Sequence, residues 1–237
     1  MKTPYDLEIT EYCAGCTNSH DRFFCNFSLP TLRALDEVCH KSTVPAGAIL
    51  FVEGQSARGV FIVCSGRVNL STTSREGKML ILKTAEAGDA LGLSASVSGL
   101  GYETTAETAT PCLVNFIDRK HLLELMQEYS EVGVQTAQAL SREFHFAFRD
   151  IHDLVLTRSS AGKLARLLLS QSPEGESAAT EIRIPSMMTH DEMAHRIGAS
   201  RETVTRLLSN LKKRQLIRLD GPTLIIRDRT ALEALAV

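Results

Sequence analysis

The chain lacks any uninterrupted apolar stretch able to cross a bilayer. Its longer runs, such as Gly59-Val60-Phe61-Ile62-Val63-Cys64, fall far short of the ~20 residues a spanning helix needs. It lacks an apolar segment near the N-terminus, where Lys2, Asp6, Glu8 and Glu11 stand instead. No secretory signal is therefore expected, and a cytoplasmic location is. There is no Walker loop, no His-Glu-x-x-His and no Gly-x-Ser-x-Gly, so an enzyme is not expected. Bulk charge of one sign is also missing. The formal net charge of −2 over 237 residues gives no hint of a polyanionic partner.

What is present begins with an ample supply of core. Apolar residues make up 43% and charged residues 23%, the balance of an ordinary globular protein. The length suits one large domain or two ordinary ones. Charge is unevenly placed. Residues 182–218 hold eight Lys or Arg against three Asp or Glu. The basic ones are Arg183, Arg196, Arg201, Arg206, Lys212, Lys213, Arg214 and Arg218. A local basic patch in a mildly acidic chain is the footprint of an anionic surface.

Periodicity divides the chain into 1–29, 30–118, 119–157 and 158–237. The first segment holds a cysteine cluster and little pattern. Residues 29–40 read as a short helix, with Leu32, Leu35 and Val38 on one face. Short apolar runs punctuated by glycines then predict strands around Ile49-Leu50-Phe51-Val52, Val60-Phe61-Ile62-Val63, Val68-Asn69-Leu70 and Met79-Leu80-Ile81-Leu82, closed into a barrel or sandwich. Residues 119–157 switch to helical period. Ala137, Leu140, Phe144, Phe148, Ile151 and Val155 form a stripe suited to a partner helix in a dimer. Packing of that helix on its own domain is the alternative.

The last segment carries the sharpest local signals. Thr189 with Glu192 three residues later is a capping box, and Gly198 suits the left-handed position that ends a helix. Ser200 caps a second helix from Arg201 to Lys213, with Val204, Leu207, Leu208 and Leu211 inward. Leu216-Ile217-Arg218-Leu219 and Thr223-Leu224-Ile225-Ile226 flank a turn at Asp220-Gly221-Pro222 and predict a wing. Helix, short turn, helix and wing form a unit that reads duplex DNA. Arg201 and Arg206 supply the donors that guanine requires, and Glu202 the acceptor for cytosine N4. Ser200 and Thr205 stand beside them, while Lys212 and Lys213 suit phosphates. A three-helix domain with a solvated charged face is the alternative.

The whole order resembles the CRP/FNR family of bacterial transcription regulators over about 30–237. The likeness is carried by Pro45-Ala46-Gly47, Glu53-Gly54, Gly66-Arg67-Val68, Glu76-Gly77-Lys78, Gly88-Asp89 and the run from Ser200 to Leu208. It implies an α+β chain with an N-terminal β-roll (a cyclic-nucleotide-binding-like jelly roll), a long dimerisation helix and a C-terminal winged helix-turn-helix. It further implies a homodimer on palindromic double-stranded DNA, with RNA polymerase as a partner and Arg201, Glu202 and Arg206 at base-reading positions. The same resemblance argues against cyclic AMP as ligand. Where the family places a ribose-binding Glu, this chain has Leu93. Where it places a phosphate-binding Arg-Ser pair, this chain has Tyr102-Glu103, or Thr104-Thr105 if the loop is shifted, and no Arg lies between Glu76 and Asp118.

Cys13-Ala14-Gly15-Cys16 and Cys25 lie just ahead of the roll. Thiolates at such spacing suit an iron–sulfur cluster or zinc. The segment resembles the FNR branch, which implies a [4Fe-4S] cluster held by Cys13, Cys16, Cys25 and a cysteine of the roll, here Cys112. Two departures stand out. The gap from Cys16 to Cys25 is longer than that branch uses, and its roll ligand falls in register nearer Asn115 than Cys112. His20 offers a Cys3His zinc set with Cys13, Cys16 and Cys25, and metal-free redox thiols are a third reading. Cys39 and Cys64 read as small core residues. The expected function is thus a DNA-binding regulator controlled by redox state, oxygen or nitric oxide. A small-molecule sensor using the roll pocket, or a roll module governing a partner enzyme, are the alternatives.

Overall fold

The computed structural model describes Cys13, 26–77, 79–156, 159–171, 181–184, 188–221 and 223–236, giving the backbone course alone over 149–156. The chain divides into two compact units. The first holds Cys13, 26–72 and 82–146, and the second holds 73–81 and 147–236. Among the described residues no helix is long and apolar enough to cross a membrane.

The first unit opens with α1 (Leu29–Val38), whose Pro30 sits in the first turn, where its missing N–H costs nothing. Leu32 and Leu35 are its buried face. Eight strands follow: β1 (Cys39–Val44), β2 (Ile49–Phe51), β3 (Gly59–Ser65), β4 (Val68–Thr73), β5 (Met79–Ala85), β6 (Ala90–Leu91), β7 (Thr105–Thr108) and β8 (Cys112–Asp118), with helix α2 (Leu93–Ser98) between β6 and β7. They form two four-stranded sheets, β1-β8-β3-β6 and β2-β7-β4-β5.

Alternation along β8 decides which core each residue enters. Cys112 and Val114 join Phe51, Val63, Val68 and Tyr102 in one cluster. Ile117 joins Leu32, Leu35, Val60 and Leu122 in another, packed by the helices. The expected β-roll is therefore present, with its glycine turns doing steric work. Gly92 lies at φ 74°, and a Cβ there would meet the Tyr102 ring at 2.5 Å.

The helical stretch expected over 119–157 is two helices, α3 (Arg119–Glu128) and α4 (Ser130–Leu156), separated at the extended Tyr129. Helix α4 has two apolar faces. Val132 and Thr136 are buried, and Leu140 packs on the roll's helical core. Val134, Phe144 and Phe148 are more than half exposed, on the same side as Ala137. Of the expected stripe, Leu140 is half-buried on the home face, and Val134, outside that stripe, is exposed on the outer one. Val134, Ala137, Ser141 and Phe148 follow spacings of three, four and seven, and Phe144 stands one heptad after Ala137. Ile151 and Val155 continue along α4, but their side chains lie outside the described residues.

The second unit comprises α5 (Ser160–Ser170), β9 (Ile182–Ile184), α6 (His190–Ile197), α7 (Arg201–Lys213), β10 (Ile217–Asp220), β11 (Thr223–Ile226) and α8 (Arg229–Leu235). Its sheet has the order β10-β11-β9, all antiparallel. Leu164, Leu168, Met193, Ile197, Val204, Leu208, Leu224 and Leu232 fill its core.

Candidate nucleic-acid interface

Local chemistry fixes the angle between α6 and α7. The Thr189 hydroxyl accepts from the Glu192 N–H at 3.2 Å, and the Thr189 N–H donates to the Glu192 carboxylate at 2.7 Å. These two bonds satisfy donors at the head of α6 that would otherwise have no partner. Gly198 ends α6 at φ 64°, a conformation cheap only for glycine. Ser200 then starts α7 by accepting from the Thr203 N–H at 3.2 Å. With Met193, Ile197, Val204 and Leu208 buried, the opposite face of α7 is held outward.

That face is a shallow concavity lined by Arg201, Glu202, Thr205, Arg206, Ser209, Asn210 and Lys213. Arg201 pairs with Asp191 of α6 at 3.3 Å. Such an exposed pair contributes little to stability, about 0–1 kcal/mol, but it orients the guanidinium. The backbone N–H at the head of α7 and the Ser200 hydroxyl hold the Glu202 carboxyl below the usual carboxylate range. At neutral pH Glu202 is therefore an acceptor only. Lys212 is exposed in the last turn of α7, next to Lys213. Of the expected residues, Arg201, Glu202, Thr205, Arg206 and Lys213 share the concavity. Ser200 is occupied with capping. Ser209 and Asn210 were not singled out in the sequence, although four-residue spacing from Thr205 and Arg206 puts them on the same face.

The cysteines are distributed differently from expectation. The Cys13 backbone N–H donates to the Asp36 carboxylate at 2.8 Å, and its sulfur accepts from the Asn115 side-chain amide at 3.4 Å. Lys41 pairs with the same Asp36 at 3.3 Å. Burial, with the Asp36 charge next, pushes the Cys13 thiol well above its ordinary value. Burial opposes ionisation of Asp36 too, yet the Cys13 and Lys41 hydrogen bonds hold its carboxyl low.

Cys112 does not join this group. It is three residues from Asn115 on β8 and so faces the other side of the sheet. Its thiol lies 3.1 Å from the Thr110 carbonyl and 3.4 Å from that of Arg67, and burial raises it. Cys112 as a partner of Cys13 is thus corrected, because strand parity separates them. The Asn115 carbonyl oxygen is buried with no hydrogen-bond partner among the described residues. Cys39, expected in the first helix, opens β1 and packs near Cys13. Cys16, His20 and Cys25 lie outside the described residues. Among the described residues, no three His, Cys, Asp or Glu side chains are grouped to hold a metal ion.

Inside the roll, Leu93 is buried, as is Tyr102. The Tyr102 ring stacks on Phe51 at 4.0 Å. Its hydroxyl donates to the Gly59 carbonyl at 2.8 Å and accepts from the N–H groups of Arg58 and Gly59. On α4, burial pushes the Glu143 carboxyl up to about 7, with Lys83 working against the shift and Glu103 and Asp89 adding to it.

Comparison with known proteins agrees with this geometry. Residues 41–129 match the cyclic nucleotide-binding domain and 162–235 the Crp-like helix-turn-helix domain. The CRP-like cAMP-activated global transcriptional regulator of Mycobacterium tuberculosis is 28% identical over 203 residues, covering 85% of this chain and 90% of that protein. The cAMP-activated global transcriptional regulator CRP of Haemophilus influenzae is 28% identical, covering 79% and 84%. Among solved structures, the c-di-GMP-responsive global regulator CLP of Xanthomonas campestris shares the fold at TM-score 0.73 and 21% identity, covering 85% of this chain and all of that one. A CooA variant from Carboxydothermus hydrogenoformans does so at 0.71 and 21%, covering 85% and 89%. Two-domain architecture, helix-turn-helix and sequence relatives agree, and the chain belongs to the CRP/FNR family of DNA-binding transcription regulators.

Proposed function

We propose that this regulator works as a homodimer on a palindromic duplex, with α7 of each protomer in the major groove. The carrying observation is the concavity on α7, where two guanidiniums and an ionised carboxylate stand outward on a capped, core-anchored helix. Arg201 and Arg206 donate to guanine and Glu202 accepts from cytosine. Lys212 and Lys213 contact phosphate. The outer face of α4, with Val134, Ala137, Phe144 and Phe148, supplies the dimer seam, and RNA polymerase is the downstream partner that the family implies. Selection of bound duplexes from a random pool tests the reading. An Arg201→Ala, Arg206→Ala double variant that enriches the same sites with the same affinity as the parent overturns it.

The input we assign to the N-terminal cysteine segment, as a redox, oxygen or nitric oxide response. Cys13 supports this, since its backbone and sulfur both bond to the roll. A change in the chemical state of the segment is thereby felt at α1 and β8. A cyclic phosphate is disfavoured. Leu93 and Tyr102 occupy the positions that would hold it, and Asp89 and Glu103 place negative charge near Glu143 of α4. The four-cysteine cluster set does not fit, because Cys112 faces away from Cys13. A metal group held by Cys13, Cys16 and Cys25 needs a fourth donor from elsewhere. Anaerobic purification followed by visible absorption and metal analysis separates the carriers: a broad shoulder marks iron–sulfur, colourless protein with zinc marks the Cys3His set, and metal-free protein marks the thiols. A Cys13→Ser variant that still responds to oxidant or nitric oxide overturns the assignment.

A further inference from the structure

Thr205 stands in the middle of the reading concavity, and its hydroxyl is already committed within the protein. A hydroxyl has one proton. That proton goes to the Arg201 carbonyl oxygen, 3.0 Å away and one helical turn back. The second bond, 2.9 Å to Nδ1 of His190 on α6, must then run the other way, with the imidazole N–H donating and Thr205 Oγ1 accepting. The proton balance thus fixes a hydrogen on His190 Nδ1. It also removes the hydroxyl as a donor, so Thr205 cannot bond to thymine O4 or to N7 of a purine. One methyl group remains exposed. Every other side chain lining the concavity ends in a charge, an amide or a hydroxyl.

We propose that Thr205 is a specificity-determining residue that reads a thymine through its C5-methyl, and that His190 is the positioning residue that makes it do so. The proposal rests on the reading of α7 as the major-groove helix. Thymine is the base that presents a methyl group in that groove. The neighbours of Thr205 cover the polar edges: Arg201 and Arg206 as donors, Glu202 as acceptor. An apolar spot among them is the feature that suits a base with a methyl. His190 holds the spot apolar by occupying the hydroxyl from the adjacent helix.

The test uses the full-length protein and a duplex selected from a random pool, with each thymine replaced in turn by deoxyuridine, which deletes only the methyl. One position per half-site should show about a fourfold loss of affinity, the ratio that corresponds to ~0.8 kcal/mol for one buried methyl. Thr205→Val, which keeps the methyl and drops the hydroxyl, should retain the deoxyuridine penalty. Thr205→Ser, which does the reverse, should abolish it. His190→Ala should shrink the penalty, and His190→Asn, whose amide N–H can replace the imidazole donor, should restore it. A penalty that survives in the Ser variant, or that disappears in the Val variant, overturns the proposal, as does its absence at every thymine of the parent complex. Failure of the underlying reading looks different: the Arg201→Ala, Arg206→Ala variant would then keep its sequence preference.

Discussion

The side-chain amide of Asn115 donates to the sulfur of Cys13 at 3.4 Å, while the other end of the same amide is buried with nothing to accept from among the described residues. An isolated buried carbonyl costs about 1–3 kcal/mol. Cys13 is therefore held on the roll through one weak bond to its sulfur, backed by the stronger bond from its N–H to Asp36.

The protonation of that thiol is the first measurable consequence. Asp36 raises it by charge in addition to burial. Asp36→Asn keeps an oxygen for the Cys13 N–H but removes the charge. Alkylation of Cys13 near pH 7.5, followed peptide by peptide in a mass spectrometer, should run several-fold faster in that variant, because the thiolate is the reacting form. An unchanged or slower rate contradicts the electrostatic account.

The two faces of α4 give separable phenotypes. Phe144→Glu with Phe148→Glu should yield a folded monomer by sedimentation at micromolar concentration, with operator affinity down at least tenfold. Leu140→Ala should leave the oligomeric state alone and lower stability by about 1–2 kcal/mol, below the range for a fully buried leucine because Leu140 is only half-buried. Monomers from the Leu140 variant would reverse the assignment of faces.

Phosphate contacts have a salt signature. Lys212→Ala should weaken binding to all sequences alike and reduce the slope of log affinity against log salt by about one unit per protomer. Anisotropy titrations on specific and random duplexes measure both quantities. A change in base preference with an unchanged slope would make Lys212 a base reader.

Glu143 makes the first unit sensitive to pH. Its folded form keeps a proton up to about pH 7, whereas an unfolded chain releases it in the usual carboxylate range. Between those limits the folded state holds the extra proton, so stability falls as pH rises, by about 1–3 kcal/mol. Below and above the window the contribution is flat. Glu143→Gln should remove this loss, raising the unfolding midpoint at pH 8 much more than at pH 5. Parallel pH profiles for the two proteins would tell against it.

Where the signal was local, the sequence predicted structure well. The capping box at Thr189 and Glu192, the turn at Gly198 and the Ser200 cap depend on residues within three or four positions, and each forms as expected. The break between α3 and α4 was not legible, because Tyr129 is neither glycine nor proline and gives no stop signal. The contact of Leu140 with the roll was not legible for a different reason. Two apolar stripes run along α4, and Leu140 lies close enough to both that periodicity alone cannot tell the home face from the outer one. Cys112 failed on a long-range fact. Parity shows that it and Asn115 face opposite ways, but only the folded chain shows which face meets Cys13. His190 was legible as a residue of α6, yet its bond to Thr205 joins two helices and has no signature along the chain.

Tyr102 is built into the interior of the roll. It stands at the register where the family resemblance puts the first of the phosphate-holding pair, and it is tied in by the Phe51 stack and three backbone hydrogen bonds. Tyr102→Arg alone would bury an unpaired charge and orphan the backbone groups of Arg58 and Gly59, without supplying the missing acid at Leu93. The Tyr102 side chain thus serves as a keystone of the roll, since one substitution there removes an aromatic stack and three backbone hydrogen bonds together.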